Sequence, residues 1–548
     1  MHEALLAECE HRWLESFNLC STVLALEPEQ PDALNLLGRL CGVAGDAPRA
    51  IGLQRRVLRL APDHACATRD LVDALCAVRS SDEARQAYDA AVAIEPDIVA
   101  HHRLPGAQQR FVGIDSAEAY LRRAIELDAS FAPAQAALGN VFARQTLFAS
   151  AIQAYGLAVL LDWDFADAHL GLGNLWELVR DEAAAARHYR EALSRKRVYV
   201  SPERSAVRRV LVLKGPGMGM NNAPLDFAVN PARTALHLCY VTGGDDTAAP
   251  LPEHEVIFCG IDEAESSDSC METAERLIAS DGKPVINRPS HLPKLRRSQL
   301  RSTLQDVAGC TVPLTIRVNA KGARDLFASP QTAGLRYPLL IRPVDTHRGD
   351  GLQRISSPQF VPTDLNVNEC FNVSQFIDYR SNDGFYRKYR VIVIAGRPFA
   401  YHLAISEHWM VHYISSPMAD NAWMRDEEER FLRDPESVFP DWERTFGAIA
   451  DAVGLEYFGI DCARNPDGGV LVFEAGPDML VHCTDPADVF AYKYRYVPRI
   501  FDALEELLDA RSAACFYPNR AASIEMDPPS TPSTGNWTDS PSFRAPNT

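Results

Sequence analysis

Two hydrophobic periodicities divide this chain near residue 200. Before it, apolar residues recur at helical spacing and the whole pattern repeats. Turn signals follow an apolar position at Glu27-Pro28, Ala61-Pro62, Glu95-Pro96, Asp128-Ala129 and Asp162-Trp163, at intervals of 33 or 34 residues. The small residues that open each second helix, Ala50, Ala84, Ala117, Ala151 and Ala185, keep the same intervals. A third marker is the glycine of Leu37-Gly38, Leu138-Gly139 and Leu172-Gly173, which permits close helix approach. The spacing predicts helix–turn–helix units that cannot bury their apolar faces alone. They are expected to stack into a superhelix whose concave groove binds a peptide or protein, or else serves as a packing scaffold. The middle units are degraded, because His101-His-Arg-Leu-Pro105 puts a proline where a first helix should run.

From Val207 the pattern changes to short β-rich runs. Arg209–Lys214, Ala235–Val241 and Glu255–Cys259 read as buried strands, Ser269–Ser280 as a helix and Pro284–Asn287 as a further strand. Strands alternating with a helix predict a small open α/β unit. The cluster Gly215-Pro-Gly-Met-Gly219 follows the first strand but lacks the G-x-G-x-x-G spacing. It reads more readily as a loop lining a cleft than as a phosphate cradle. Beyond Cys515, proline, serine and threonine dominate and periodicity vanishes, so a disordered tail is expected.

The most informative stretch is a hairpin. Phe458-Gly-Ile-Asp461 and Val470-Leu-Val-Phe-Glu474 flank Asn465-Pro-Asp-Gly-Gly469, and Asp-Gly between apolar runs signals a tight turn. With Asp467-Gly468 as a two-residue turn, Asp461 and Glu474 fall directly opposite, their Cβ atoms about 5 Å apart on one face. Like charges so placed repel unless a cation lies between them. Oxygen ligands at that separation suit Mg²⁺, which uses one or two carboxylates together with substrate phosphates. The alternative is a pair of solvated acids at strand ends, and a bulge would shift the register by one residue.

These residues resemble the metal-binding end of ATP-grasp ligases, especially their glutamate-ligase-like branch, and the likeness extends through most of residues 284–510. Lys283-Pro-Val-Ile-Asn-Arg-Pro289 resembles the segment entering that fold, and Gly309-Cys-Thr-Val-Pro-Leu-Thr315 its helix-to-strand step. Tyr337-Pro-Leu-Leu-Ile-Arg-Pro343 resembles the strand that carries an ATP-binding lysine, replaced here by Arg342; the preceding lysine position falls at Arg296 or Arg297. Arginine keeps the charge and binds phosphate bidentately. His347-Arg-Gly-Asp-Gly351 is similar to the glycine-rich loop over the phosphates, Gln375-Phe-Ile377 to the adenine hinge, and Arg387-Lys-Tyr-Arg390 to the segment supplying a triphosphate-binding arginine. The repeats resemble tetratricopeptide repeats, most closely over Pro133–Leu161.

The resemblance implies a multidomain chain: an all-α tetratricopeptide-repeat superhelix over 1–200, an α/β pre-ATP-grasp domain over 201–290, an α+β ATP-grasp domain over 291–515 and a disordered tail over 516–548. It implies ATP and Mg²⁺ as cofactors. Nucleotide contacts would come from Arg297, Arg342, His347, Gly349, Gly351, Gln375, Phe376, Ile377 and Arg390, and the metal would be held by Asp461 and Glu474. Arg342 and Arg390 would act on the transferred phosphoryl group. One departure is Glu474-Ala-Gly-Pro477, because the family usually has asparagine where Gly476 stands. A ligand must then come from elsewhere, such as Asp478, or a second metal site is weakened.

His402, His408 and His412 lie within a short span, but the context reads as strand and no H-E-x-x-H is present. A cleft-lining role suits them, and His482, better than zinc. Composition narrows the function classes. The 548 residues carry a net charge of −18, which argues against non-specific nucleic-acid or anionic-membrane binding. No apolar run is long enough to span a bilayer, and the N-terminus lacks a signal-peptide layout. The 13 cysteines are scattered without a CxxC pair, which suits reduced thiols in a cytoplasm. The expectation is an ADP-forming carboxylate–amine ligase whose repeats recruit a peptide or protein. The alternative is a repeat-based interaction protein that binds ATP as a switch without ligating.

Overall fold

The computed structural model describes residues 2–516 apart from residues 10–11, 63, 77–80, 96–113, 201–205, 218–221, 245–249, 347–348, 361, 363–364, 368 and 466. The expected tail beyond residue 516, the proline-interrupted segment at 101–105, Gly219 and His347 lie outside these described residues.

The first part is helical and built in pairs. Pro31–Val43 packs on Ala47–Leu60, Ala132–Arg144 on Phe148–Leu161, and Ala166–Leu178 on Glu182–Arg195. All five marker alanines are buried. The Leu-Gly marker has a steric cause: a Cβ on Gly139 would come within 2.9 Å of the Tyr155 ring, and one on Gly173 within 2.7 Å of Tyr189. Each tyrosine hydroxyl then donates to the asparagine following that glycine, Tyr155 to Asn140 and Tyr189 to Asn174. The repeat thus places one neutral buried hydrogen bond at equivalent positions.

Three sheets follow. Strands β1 (Val198–Val200), β2 (Arg208–Lys214), β3 (Thr234–Tyr240), β4 (Val256–Cys259) and β5 (Val285–Ile286) form the first, in the order β1-β3-β2-β4-β5. Strands β2 to β5 are parallel and nearly uniformly apolar, as buried parallel strands must be, and helix Asp268–Asp281 connects the last two. Of the glycine cluster after β2, residues 215–217 are described: buried Asn222 donates to the carbonyls of Gly215 and Gly217 and accepts from the Gly215 amide.

Strand β6 (Cys310–Thr311) comes next in the chain and joins the third sheet. The second sheet contains β7 (Thr315–Asn319), β8 (Leu339–Pro343), β9 (Gln353–Ile355) and β10 (Cys370–Gln375), all antiparallel, in the order β7-β10-β8-β9. The third contains β11 (Tyr386–Ile394), β12 (Arg397–Ser406), β13 (Tyr457–Arg464) and β14 (Val470–Gly476), in the order β12-β11-β13-β14-β6. No described helix is long and apolar enough to cross a membrane.

Contacts cross the expected divisions at residues 200 and 290. Strand β1 ends at Val200 yet pairs with β3, so the first of those divisions falls inside one sheet. Leu170, Ala185, Tyr189 and Leu193 of the last helix pair share a core with Val210, Val212 and Tyr240. Helix Pro498–Phe516, at the far end of the chain, packs into that same core, and its Glu505 and Asp509 ion-pair with buried Arg208. Local pattern could not reveal either contact, because each joins segments distant in sequence.

Candidate functional site

A cavity of about 630 Å³ lies between the second and third sheets. The third sheet supplies a row of charge. Arg390 on β11 is the direct partner of Asp461 on β13, which is the direct partner of Glu474 on β14. Lys388, two residues before Arg390 on β11, shares its face by the period of a strand.

The hairpin that aligns the two acids differs from the expected one. Arg464 pairs with Val470, so the loop has five residues, 465–469, closed by the Asn465 amide on the Gly469 carbonyl at 2.8 Å. A bulge between Asp461 and Cys462 then shifts the register by one and restores Asp461 opposite Glu474. Turn and bulge cancel, so the predicted pairing occurs by a different route.

The acids are not a bare repelling pair. Asp461 is fully buried and accepts from Arg390 Nε at 2.6 Å and Nη2 at 3.0 Å, and from Lys388 Nζ at 2.8 Å. Glu474 accepts from Arg297, the first residue of helix Arg297–Leu304, and lies 3.9 Å from Arg342 Nη1 on β8. Each carboxylate thus has its own basic partners, Arg390 and Lys388 on Asp461 and Arg297 and Arg342 on Glu474. Burial pushes both acids up, but Arg390 and Lys388 hold Asp461 far below the usual carboxylate range, and Arg297 and Arg342 hold Glu474 at about 2. Burial, followed by repulsion from Arg297, brings Arg342 down to about 10. Arg342 also donates to the Thr346 carbonyl.

Of the two candidates for the preceding basic position, Arg297 enters the cavity, whereas Arg296 turns to Asp268 and the Glu263 carbonyl. Gly349 lines the cavity with φ +76°; Gly351 does not line it, and its φ of +67° lets the chain pass close to Pro343. Gln375, Phe376 and Ile377 form part of the wall. The Gln375 and Phe376 amides already donate to the Leu314 and Pro338 carbonyls, and the Gln375 side chain ties together the backbone at Arg336, Pro338 and Phe376. The Phe376 ring meets Trp409 edge-on at 5.7 Å. With Ile377 and Phe473 they give the cavity an apolar, aromatic face beside its charged one.

Several further residues line the cavity. Lys388 was within reach of the sequence, since it stands two residues from Arg390 on a strand. Trp409 and Glu263 were not: Glu263 arrives from beyond the end of β4 through the topology of another sheet. Its Oε2 is enclosed without a hydrogen-bond partner, and burial with nearby Asp478 and Asp262 raises its pKa well above the ordinary value. Asp478 explains Gly476: a Cβ there would lie 2.3 Å from Asp478 Oδ1 and 3.1 Å from Glu263 Oε2. The aspartate fills the space that a side chain at 476 would need.

His402, His412 and His482 also line the cavity. A bulge places both Tyr401 and His402 there, because Arg390 pairs with His402 and Val391 with Ala400. Burial, followed by Arg390, holds His402 well below its ordinary value, while burial is the leading cause lowering His412 and His482. Among the described residues no group of three histidine, cysteine or acidic side chains converges to hold a metal.

The donor set sets terms for Mg²⁺. Four basic side chains, Arg297, Arg342, Lys388 and Arg390, face the carboxylates of Asp461, Glu474 and Asp478, while burial holds Glu263 toward its neutral form, leaving a small positive surplus. A bare divalent cation would add to that surplus. A polyphosphate carrying the ion would neutralise it, and each carboxylate retains lone pairs beyond those engaged. The residues fit a metal that arrives with a polyanion.

No family model matches the sequence, and no curated protein matches it. Solved structures resemble its two parts separately. A RimK-domain ATP-grasp protein from Sphaerobacter thermophilus is 16% identical, covering 54% of this chain and 99% of that one, with a TM-score of 0.31. The VanG D-Ala:D-Ser ligase of Enterococcus faecalis is 12% identical, covering 55% and 99%, with a TM-score of 0.35. A thermophilic tetratricopeptide-repeat protein of Thermus thermophilus is 19% identical, covering 36% and 89%, with a TM-score of 0.15. The neighbours of the C-terminal part include ATP-grasp ligases and those of the N-terminal part include tetratricopeptide-repeat proteins; at these identities the likeness is one of fold.

Proposed function

We propose that this chain is an ATP- and Mg²⁺-dependent carboxylate–amine ligase working through an acyl phosphate, with its repeats holding a peptide or protein partner. One observation carries the reading: a single cavity joins a positive row, Arg297, Arg342, Lys388 and Arg390 around Asp461 and Glu474, to an aromatic face at Phe376 and Trp409. That combination accommodates a triphosphate and a flat base together. Arg342 and Arg390 neutralise charge that develops while the γ-phosphoryl passes to a substrate carboxylate and ADP leaves. An amine then attacks the acyl carbon and phosphate departs. Asp461 and Glu474 are the residues that would hold Mg²⁺, which when bound supplies further charge neutralisation at the phosphates.

A second reading has its own support. Both oxygens of Asp461 are already engaged by Arg390 and Lys388, which suits a nucleotide-binding switch that does not ligate. The test incubates the full chain with Mg–ATP and panels of acids, amines and peptides, scoring ADP against AMP. Acid-dependent ADP, lost in Glu474→Gln, is the expected result. Thermal stabilisation by Mg–ATP without ADP from any acid selects the switch; absence of both sinks both readings.

A further inference from the structure

The turns inside the repeats share a backbone feature. Gly45, Thr146 and Arg180 stand between the two helices of their units with φ of +80°, +60° and +66°. Glycine occupies that region freely, whereas a residue with a Cβ is disfavoured there. Thr146 shows that the turn tolerates a Cβ there, so what sets Arg180 apart is its guanidinium. Arg180 Nη1 lies 2.7 Å from Oδ2 of Asp350, which is 170 residues further along the chain.

Asp350 sits between Gly349 and Gly351, in a turn that lies against the cavity wall. A Cβ on Gly349 would come within 2.7 Å of His412 Nε2 and 3.2 Å of Met410 Sδ. The turn is thus held by the wall on one side and by Arg180 on the other. The mount behind Arg180 is firm, because Tyr189 and Leu193 of the same helix pair belong to the core of the first sheet. The Tyr189 hydroxyl donates to Glu177, three residues before Arg180.

We propose that Arg180 is a positioning residue, which pins the Gly349–Gly351 turn over the cavity through Asp350. The last repeat then shapes the nucleotide site as well as ending the array. This consequence rests on the nucleotide reading above; the pinning itself does not. The pair is exposed, 66% and 47%, so its strength is that of a surface ion pair and falls with salt.

The test uses the full chain as wild type, as Arg180→Gly, as Arg180→Asp, and as Arg180→Asp combined with Asp350→Arg. Arg180→Gly is expected to leave the melting temperature unchanged or raise it, since glycine suits that φ. It should nevertheless weaken Mg–ATP binding about two- to fivefold and speed amide exchange at Asp350–Leu352. The charge-swapped double variant should regain wild-type affinity and exchange, where Arg180→Asp alone does not. Salt near 0.5 M should bring the wild type to the level of Arg180→Gly. A merely structural arginine would show the reverse, a lower melting temperature with unchanged affinity and exchange, and would overturn the proposal. If the wild type binds no nucleotide, the reading above fails, and unchanged amide exchange in Arg180→Gly would sink the pinning as well.

Discussion

The repeat array and the paired sheets handle buried polar groups in opposite ways. In the array, Tyr155 and Tyr189 each reach an asparagine 15 residues earlier, and Tyr189 also lies within hydrogen-bond distance of Glu177, all of them contacts within one unit. Around the cavity, Asp461 meets Arg390 and Lys388 more than 70 residues away, and Glu474 meets Arg297 across 177. Neutral local bonds can be multiplied without accumulating charge. Long-range buried ion pairs cannot, because every member depends on the others for neutralisation. The array is therefore built to be extended, and the cavity to respond to a charged ligand.

The largest effect that would break this comparison is loss of Asp461. Asp461→Ala leaves Arg390 and Lys388, half-buried in the cavity wall, without their shared partner, at a cost of about 1.5–3 kcal/mol. Tyr155→Phe removes one neutral bond in the array, for about 1 kcal/mol. Urea unfolding of both variants checks the contrast. Equal losses would mean that the charged row is solvated and the distinction false.

A smaller effect sharpens it. Gly476→Asn would bring a side chain into the space held by Asp478, so crowding should cost about 1–3 kcal/mol. Combining it with Asp478→Gly should recover most of that loss, since the space is then vacated. A double variant no more stable than Gly476→Asn alone would show that the two positions do not compete.

What the sequence made legible follows the same contrast. The 34-residue phase exposed the buried alanines and the close approach at Gly139 and Gly173, because each depends on neighbours within one unit. The strands β2 to β5 were readable for the same reason, as apolar runs. The Asp461–Glu474 pairing was readable too, although a five-residue loop and a bulge replaced the two-residue turn. Hidden from it were contacts set by topology: Arg297 on Glu474, Glu263 beside Gly476, and Arg180 on Asp350. No local spacing encodes them. The repulsion of Glu474 by Asp461 is present but offset by Arg297 and Arg342, which come from other elements.

Glu474 in the cavity and Asp262, buried next to Glu263 and outside the lining, differ in the sign of their response to pH. Glu474, held at about 2 against an ordinary 4.5, contributes stability that is present above pH 4.5 and lost as pH falls toward 2. Asp262 behaves oppositely. Burial, opposed in part by the Ser267 hydroxyl and reinforced by Asp478, raises it from 3.8 to about 7. Its folded form then keeps a proton that the unfolded chain has released, so stability should fall as pH rises from 3.8 toward 7. A single proton limits that slope to about 1.4 kcal/mol per pH unit. Asp262→Asn mimics the protonated acid and should flatten the decline while leaving the loss below pH 4.5 intact. Melting temperatures of wild type and Asp262→Asn, taken across this range, measure both limbs. An unchanged slope between pH 4.5 and 7 would place the responsible group elsewhere, with Glu263 the next candidate because it too is raised by burial beside Asp478.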